Sequence, residues 1–224
     1  MSDPTVPVRL WDGPTRLFHW GLMVLILTAW LSAGKNMELH KLAGYGVIGL
    51  IVFRLWWGVV GGSTARFANF VTGPKTTLAY LAGLKFRTPG ETAGHNPLGA
   101  WSVVAMISLI LVQAGLGLFA TDIDGIESGP FSDKVDFDAG RLFSEWHELA
   151  FRALQVLIGL HLAAIAFYAL WKRENLIGAM LTGRRHFSHA VTPLTIAPTW
   201  RLVIGILLAV AAAYAIARGF RMKF

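Results

Sequence analysis

HELAFRALQVLIGLH, residues His147 to His161, places two histidines fourteen positions apart on an otherwise apolar stretch. Fourteen residues are close to four helical turns, so both imidazoles point to nearly the same face, roughly 21 Å apart along the axis. That distance is most of the roughly 30 Å hydrocarbon core of a bilayer. One helix therefore offers a nitrogen ligand near each side of a membrane. His19 and His40 sit where other apolar spans begin, and they complete two pairs.

Composition supports the membrane setting. Of 224 residues, 54% are hydrophobic and only 15% charged, and the mean hydropathy is +0.54. A soluble chain carries about 25% charged residues, so the expected class is an all-α membrane protein. The net charge is +7. The basic residues are scattered beside apolar spans rather than interleaved with aromatics in one patch, which excludes a nucleic-acid partner and fits membrane topogenesis. Cysteine is absent. Disulfides, thiolate-held iron–sulfur clusters and covalent haem are thereby excluded. The N-terminus, with Asp3, Pro4, Pro7 and Asp12, does not read as a cleaved signal.

In chain order, residues 1–16 read as a polar cytoplasmic leader, with Pro14 suited to a helix's first turn. The first span is expected over about 17–34. After a short link, His40 opens a second span, which runs to about Val60 with Trp56 and Trp57 at its far interface. Residues 61–97 read as a basic Gly/Pro-rich connection with a short helix at 76–84, and a third span begins at HNPLG (95–99) and ends near Ala120. Residues 121–146 hold seven acids against two bases and read as an acidic loop. The histidine helix follows, from His147 to about Trp171. A basic linker at 183–199 then leads to a fifth span and tail at 200–224. Residues 17–182 are the expected core domain.

Basic residues set the orientation. With the N-terminus inside, ten lie in inner segments and seven in outer ones. The basic tail after the fifth span goes against this count. Depth then pairs His40 with His147 at the outer side and His19 with His161 at the inner side. Two nitrogens per site suit the axial positions of haem, here two non-covalent bis-histidine b haems. An iron with both axial positions filled suits electron transfer better than oxygen chemistry.

Other candidates have competing readings. His95, just before Pro97, reads as a helix-start residue or a propionate neighbour rather than an axial ligand. Arg16, Arg54 and Arg152 either snorkel or pair with haem propionates. Gly44, Gly46 and Gly49 serve helix packing or a haem face. Gln113 faces a haem, a quinone or another helix. His186 and His189 read as part of a solvated loop rather than a metal site. The acidic loop could steer a positively charged redox partner.

At WDGPTRLFHW (11–20), HKLAGY (40–45) and GHNPLG (94–99), closed by His147 and His161, the sequence resembles the bacterial cytochrome b561 family, including b-type cytochrome subunits of nickel–iron hydrogenases. The resemblance covers roughly residues 8–182. It implies a four-helix transmembrane bundle holding two b haems, with His19, His40, His147 and His161 as axial ligands. It also implies a place in the bacterial inner membrane. There the family passes electrons between the quinone pool and a periplasmic c-type cytochrome or oxidoreductase subunit. An electron-transfer subunit is expected rather than a stand-alone enzyme. One branch resembles a superoxide oxidase that reduces quinone; it needs a basic outer funnel, for which Lys35 and Lys41 are candidates. The fifth helix falls outside the resemblance and could dock a partner or a second copy.

Overall fold

The computed structural model describes residues 6–87, 94–187 and 194–219. Among the described residues five helices are long and apolar enough to cross a membrane: α1 (Gly13–Ser32), α2 (Met37–Val60), α5 (Pro97–Phe119), the helix α6 (Phe137–Phe167) with its π-helical extension to Lys172, and α8 (Thr199–Ala217). Shorter helices are α3 (Phe67–Phe70), α4 (Pro74–Gly83) and α7 (Leu176–Thr182). Large apolar side chains such as Leu27, Val112, Val156 and Leu207 face outward from the long helices. Surfaces of that kind belong in hydrocarbon, and the chain is a multi-pass membrane protein.

Five helix starts follow one rule, while α3 and α4 begin without a side-chain cap. A helix leaves its first N–H groups without partners, and a short polar side chain before it can accept from one. Asp12 Oδ1 takes the Thr15 amide at 2.8 Å, and Asn36 Oδ1 takes the Leu39 amide at 2.9 Å. Asn96 accepts from Gly99 at 2.7 Å, Asp136 from Ala139 at 2.8 Å, and Asn175 from Gly178 at 2.7 Å. The cap at Asp136 corrects the sequence expectation for the fourth span. Its helix begins at Phe137 rather than at His147, so the last third of the acidic segment is helical.

The chain forms two compact units. The first comprises Met1–Leu17, Leu55–Ala105 and Ile158–Leu202. In it, β1 (Val6–Arg9) pairs antiparallel with β2 (Arg184–Phe187), a two-stranded sheet within an otherwise helical protein that the expected polar leader and basic linker did not foretell. Val8, Leu10, Trp11, Ala179 and Phe187 form a buried cluster beside it. Gly183, at φ +77°, closes α7, and a Cβ there would meet the Trp11 carbonyl at 2.7 Å. His186 is exposed on β2, and His189, Arg221 and Lys223 lie outside the described residues. Trp57 is not an interfacial residue as expected. It is 2% exposed and donates from Nε1 to Asp12 Oδ2 at 3.0 Å. Arg201 ties α8 to α2: its Nη1 donates to the Val60 carbonyl, and its own carbonyl accepts from Trp56 Nε1, both at 2.8 Å.

The second unit comprises Phe18–Arg54, Met106–Leu157 and Val203–Phe224. Gly46 lies against Leu25, and a Cβ on Gly49 would meet the Ala209 carbonyl at 3.0 Å, so both glycines serve close packing. A Cβ on Gly44 would meet nothing within 4 Å.

Asp12 is 3% exposed and accepts from both Thr15 and Trp57. Asp12→Ala leaves two buried donors unpaired, at a cost of about 2 kcal/mol. A melting temperature lower by about 4–8 °C is expected in detergent, whereas Asp12→Asn keeps an acceptor and loses less. Equal melting of Asp12→Ala and wild type would show that this cap is dispensable.

Candidate cofactor site

Within the second unit, His40 lies in the first turn of α2 and His147 midway along α6. Their ring centroids are 6.1 Å apart with planes at 73°. His40 Nδ1 lies 2.8 Å from the Ala29 carbonyl of α1, and His147 Nδ1 lies 2.8 Å from the Gln113 carbonyl of α5. A carbonyl only accepts, so each Nδ1 carries the proton and donates. That leaves each Nε2 as the nitrogen with a lone pair. The Gln113 side chain gives an independent check at His147. Its Nε2 donates to His147 Nε2 at 2.9 Å, which requires an unprotonated ring nitrogen there. Gln113 Oε1 is buried without a hydrogen-bond partner. Gln113 thus does face another helix, and it does so at the imidazole of His147.

Gly117 makes this approach possible. A Cβ on it would lie 2.8 Å from His147 Cε1 and 3.0 Å from Nδ1. Gly117 is four residues after Gln113, next to the carbonyl that takes the imidazole proton. Sequence reasoning singled out Gln113 but missed Gly117. The signal was there: a polar residue and a glycine one turn apart on the helix facing a histidine.

The other expected residues are placed as follows. His19, on α1 in the second unit, stands edge-on to Trp20 with centroids 5.1 Å apart. His161 lies on α6 in the first unit and is half-buried. His95, two residues before α5, packs its ring on Phe70 (4.4 Å) and Trp11 (4.7 Å). Arg16 donates through Nε to the Met180 carbonyl at 3.1 Å and also bonds the Leu181 carbonyl, so it caps the end of α7. Arg54 is 2% exposed, its guanidinium 5.9 Å from the Phe18 ring centroid. Arg152 is exposed and pairs with Glu148 one turn before it at 2.5 Å. Lys41 pairs with Glu127 of the acidic segment at 2.8 Å.

The family described as prokaryotic cytochrome b561 matches residues 10–183 of the chain. A probable Ni/Fe-hydrogenase B-type cytochrome subunit of Azotobacter chroococcum is 25% identical over 215 residues, covering 80% of this chain and 89% of that protein. Proteins of the same description from Rhizobium leguminosarum and Bradyrhizobium diazoefficiens are 24% and 25% identical, covering 80% and 84% of this chain and 89% and 88% of theirs. No solved structure gives a significant match.

A b-type cytochrome holds haem b, and the donor set fits that group. The His40 and His147 rings, 6.1 Å apart at their centroids, are close enough for one metal to reach a nitrogen of each. A metal held at His147 Nε2 would take the place of the Gln113 amide, whose oxygen has no hydrogen-bond partner to hold it there. Gly44, one turn after His40, opens on free space on the same helix face. Gly117→Val, which pushes methyl groups into the His147 ring, is expected to lower haem per chain measured by pyridine haemochrome. Gly83→Val, beside open space on α4, serves as the control at wild-type content. Full haem in Gly117→Val would remove His147 from the site.

Proposed function

The chain belongs to the prokaryotic cytochrome b561 family, and from that premise we propose that it is a diheme electron-transfer subunit. It carries electrons across the bacterial inner membrane, with its N-terminus cytoplasmic, between the quinone pool and a periplasmic redox partner. The observation that carries this reading is the pair His40 and His147, each with Nδ1 tied to a neighbouring helix's carbonyl and Nε2 left to ligate. These two hold the outer haem. His19 and His161 hold the inner one, a pairing supported by their positions along α1 and α6 and by the family motifs around them. The domain boundaries at residues 16, 182 and 199 are part of the same reading.

Haem b, when bound, would supply a one-electron iron couple, which suits electron transfer. The protein's part is to hold and insulate. The carbonyls of Ala29 and Gln113 fix ring orientation and tautomer, as the outer partners of metal-bound imidazoles commonly do. The glycine contacts of α2 with Leu25 and Ala209 keep that helix closely packed and water out. The printed descriptions of the relatives support a catalytic oxidoreductase of the hydrogenase kind as the partner. A c-type cytochrome is the other candidate. The superoxide-oxidase reading is less favoured, because Lys41, half of its expected basic funnel, is already paired with Glu127.

Haem per chain is the deciding measurement. Wild type is expected to hold two b haems, and His161→Ala and His147→Ala about one each. One haem or none in wild type would break the pairing. Purified protein is also expected to show no haem reduction by pulse-generated superoxide; rapid reduction would revive the enzyme reading.

A further inference from the structure

The acidic segment between α5 and α6 is expected from sequence to be a solvated connection, yet it is built. Thr121 pairs with Ser128 as an antiparallel bridge, and the Asp122 amide donates to the Glu127 carbonyl at 3.1 Å. Gly125, at φ +70°, makes the turn. Its base is fixed to α6: Ser144 Oγ donates to the Thr121 carbonyl at 2.7 Å, and Arg141 Nη1 donates to the same atom at 3.2 Å. The Gly129 amide returns to the Ala120 carbonyl at 2.8 Å. Lys41 holds its side through Glu127.

At the tip of this hairpin stand Ile123 and Ile126, 73% and 81% exposed. Phe137, 52% exposed, lies beside them, with its Cε2 3.7 Å from where a Gly125 Cβ would be. Two isoleucines and a phenylalanine on a rigid tip gain nothing in water. Around them Asp124, Asp133, Asp136 and Asp138 are all exposed. Over residues 121–146 seven acids face two bases, and one of those bases, Arg141, is turned inward onto Thr121.

From this we propose that the hairpin tip Ile123–Ile126 with Phe137 is the docking surface for a water-soluble redox protein that presents an apolar patch within a basic rim. The proposal rests on the electron-transfer reading above and names the partner's chemistry at the end of the molecule that carries His40 and His147. Charge selects this occupant over two others. An anionic lipid surface is repelled by four exposed carboxylates, and a second copy of the chain would set acid against acid across a two-fold contact. A basic protein gains attraction in approach and burial of the isoleucines on arrival.

The test uses the full-length, haem-loaded protein in nanodiscs of zwitterionic lipid. The binding probe is a strongly basic c-type cytochrome, with an acidic c-type cytochrome as the comparison. The basic probe is expected to bind and the acidic one not to. Ile126→Ser is expected to weaken binding about tenfold by losing an apolar anchor. Asp124→Asn with Asp136→Asn is expected to flatten the dependence of binding on salt. Because the chain has no cysteine, Ile126→Cys carries a single environment-sensitive fluorophore, expected to change only when the basic probe is added. Wild-type affinity in Ile126→Ser, equal binding of both cytochromes, or a fluorophore already buried in probe-free nanodiscs would each overturn the proposal. Haem content measured on the same samples separates the two readings. Two haems without tip-dependent binding sink the docking surface alone, and missing haem sinks the diheme reading.

Discussion

An imidazole offered to a metal inside hydrocarbon must first dispose of its own proton. There is no water to take the Nδ1–H, and a polar hydrogen left bare in an apolar phase costs several kcal/mol. A helix-rich membrane protein has few acceptors to spare, because its carbonyls already receive amides one turn on. A carbonyl has two lone pairs, however, and a second donor can reach it wherever the flanking side chain is absent. The site at His147 is built on that exception. The Gln113 carbonyl accepts the imidazole because position 117 is glycine, and the ring occupies the space a Cβ would fill. His40 uses the Ala29 carbonyl, which also takes the Ala33 amide at 3.1 Å and Ser32 Oγ at 3.2 Å. Ala29 lies in the last turn of α1, where the chain turns toward α2.

The same accounting governs helix starts. Asp12, Asn36, Asn96, Asp136 and Asn175 each accept the amide three residues ahead. The spans and their approximate ends were legible in the sequence because hydropathy and length are nearly sufficient in a bilayer. Where expectation and structure part, a short polar residue had a task that hydropathy does not register. Asp136 starts α6 ten residues ahead of His147, because a run of acids reads as solvated loop unless one of them is recognised as a cap. Asp12 takes Trp57 into the interior, although a tryptophan pair at the end of a span ordinarily marks the interface.

The β1–β2 pair was hidden for a different reason. Four-residue strands carry too little alternation to register as a period, and VPVR finds RRHF across almost the whole length of the chain. Of the candidate site, the closeness of His40 and His147 was legible because imidazole in an apolar helix demands an explanation. The partners of Arg16, Arg54 and Arg152 were not, since a guanidinium serves a helix end, an aromatic face or a carboxylate equally well. Arg16 lies on the end of α7, Arg54 near Phe18, and Arg152 on Glu148.

Under the proposed ligation, these second partners also bear on the chemistry. A ring whose Nδ1–H meets a carboxylate gains basicity and lends the metal negative charge, and that favours the oxidised iron. His40 and His147 meet neutral carbonyls instead. Glu148, the residue adjacent to His147, is turned to Arg152 on the outside of α6. Glu127 is taken by Lys41, the residue adjacent to His40. Glu148 and Glu127 are thus each paired with a base rather than spent on an imidazole. Under that ligation both rings would reach the iron as neutral imidazoles, with no carboxylate behind either to lend it negative charge.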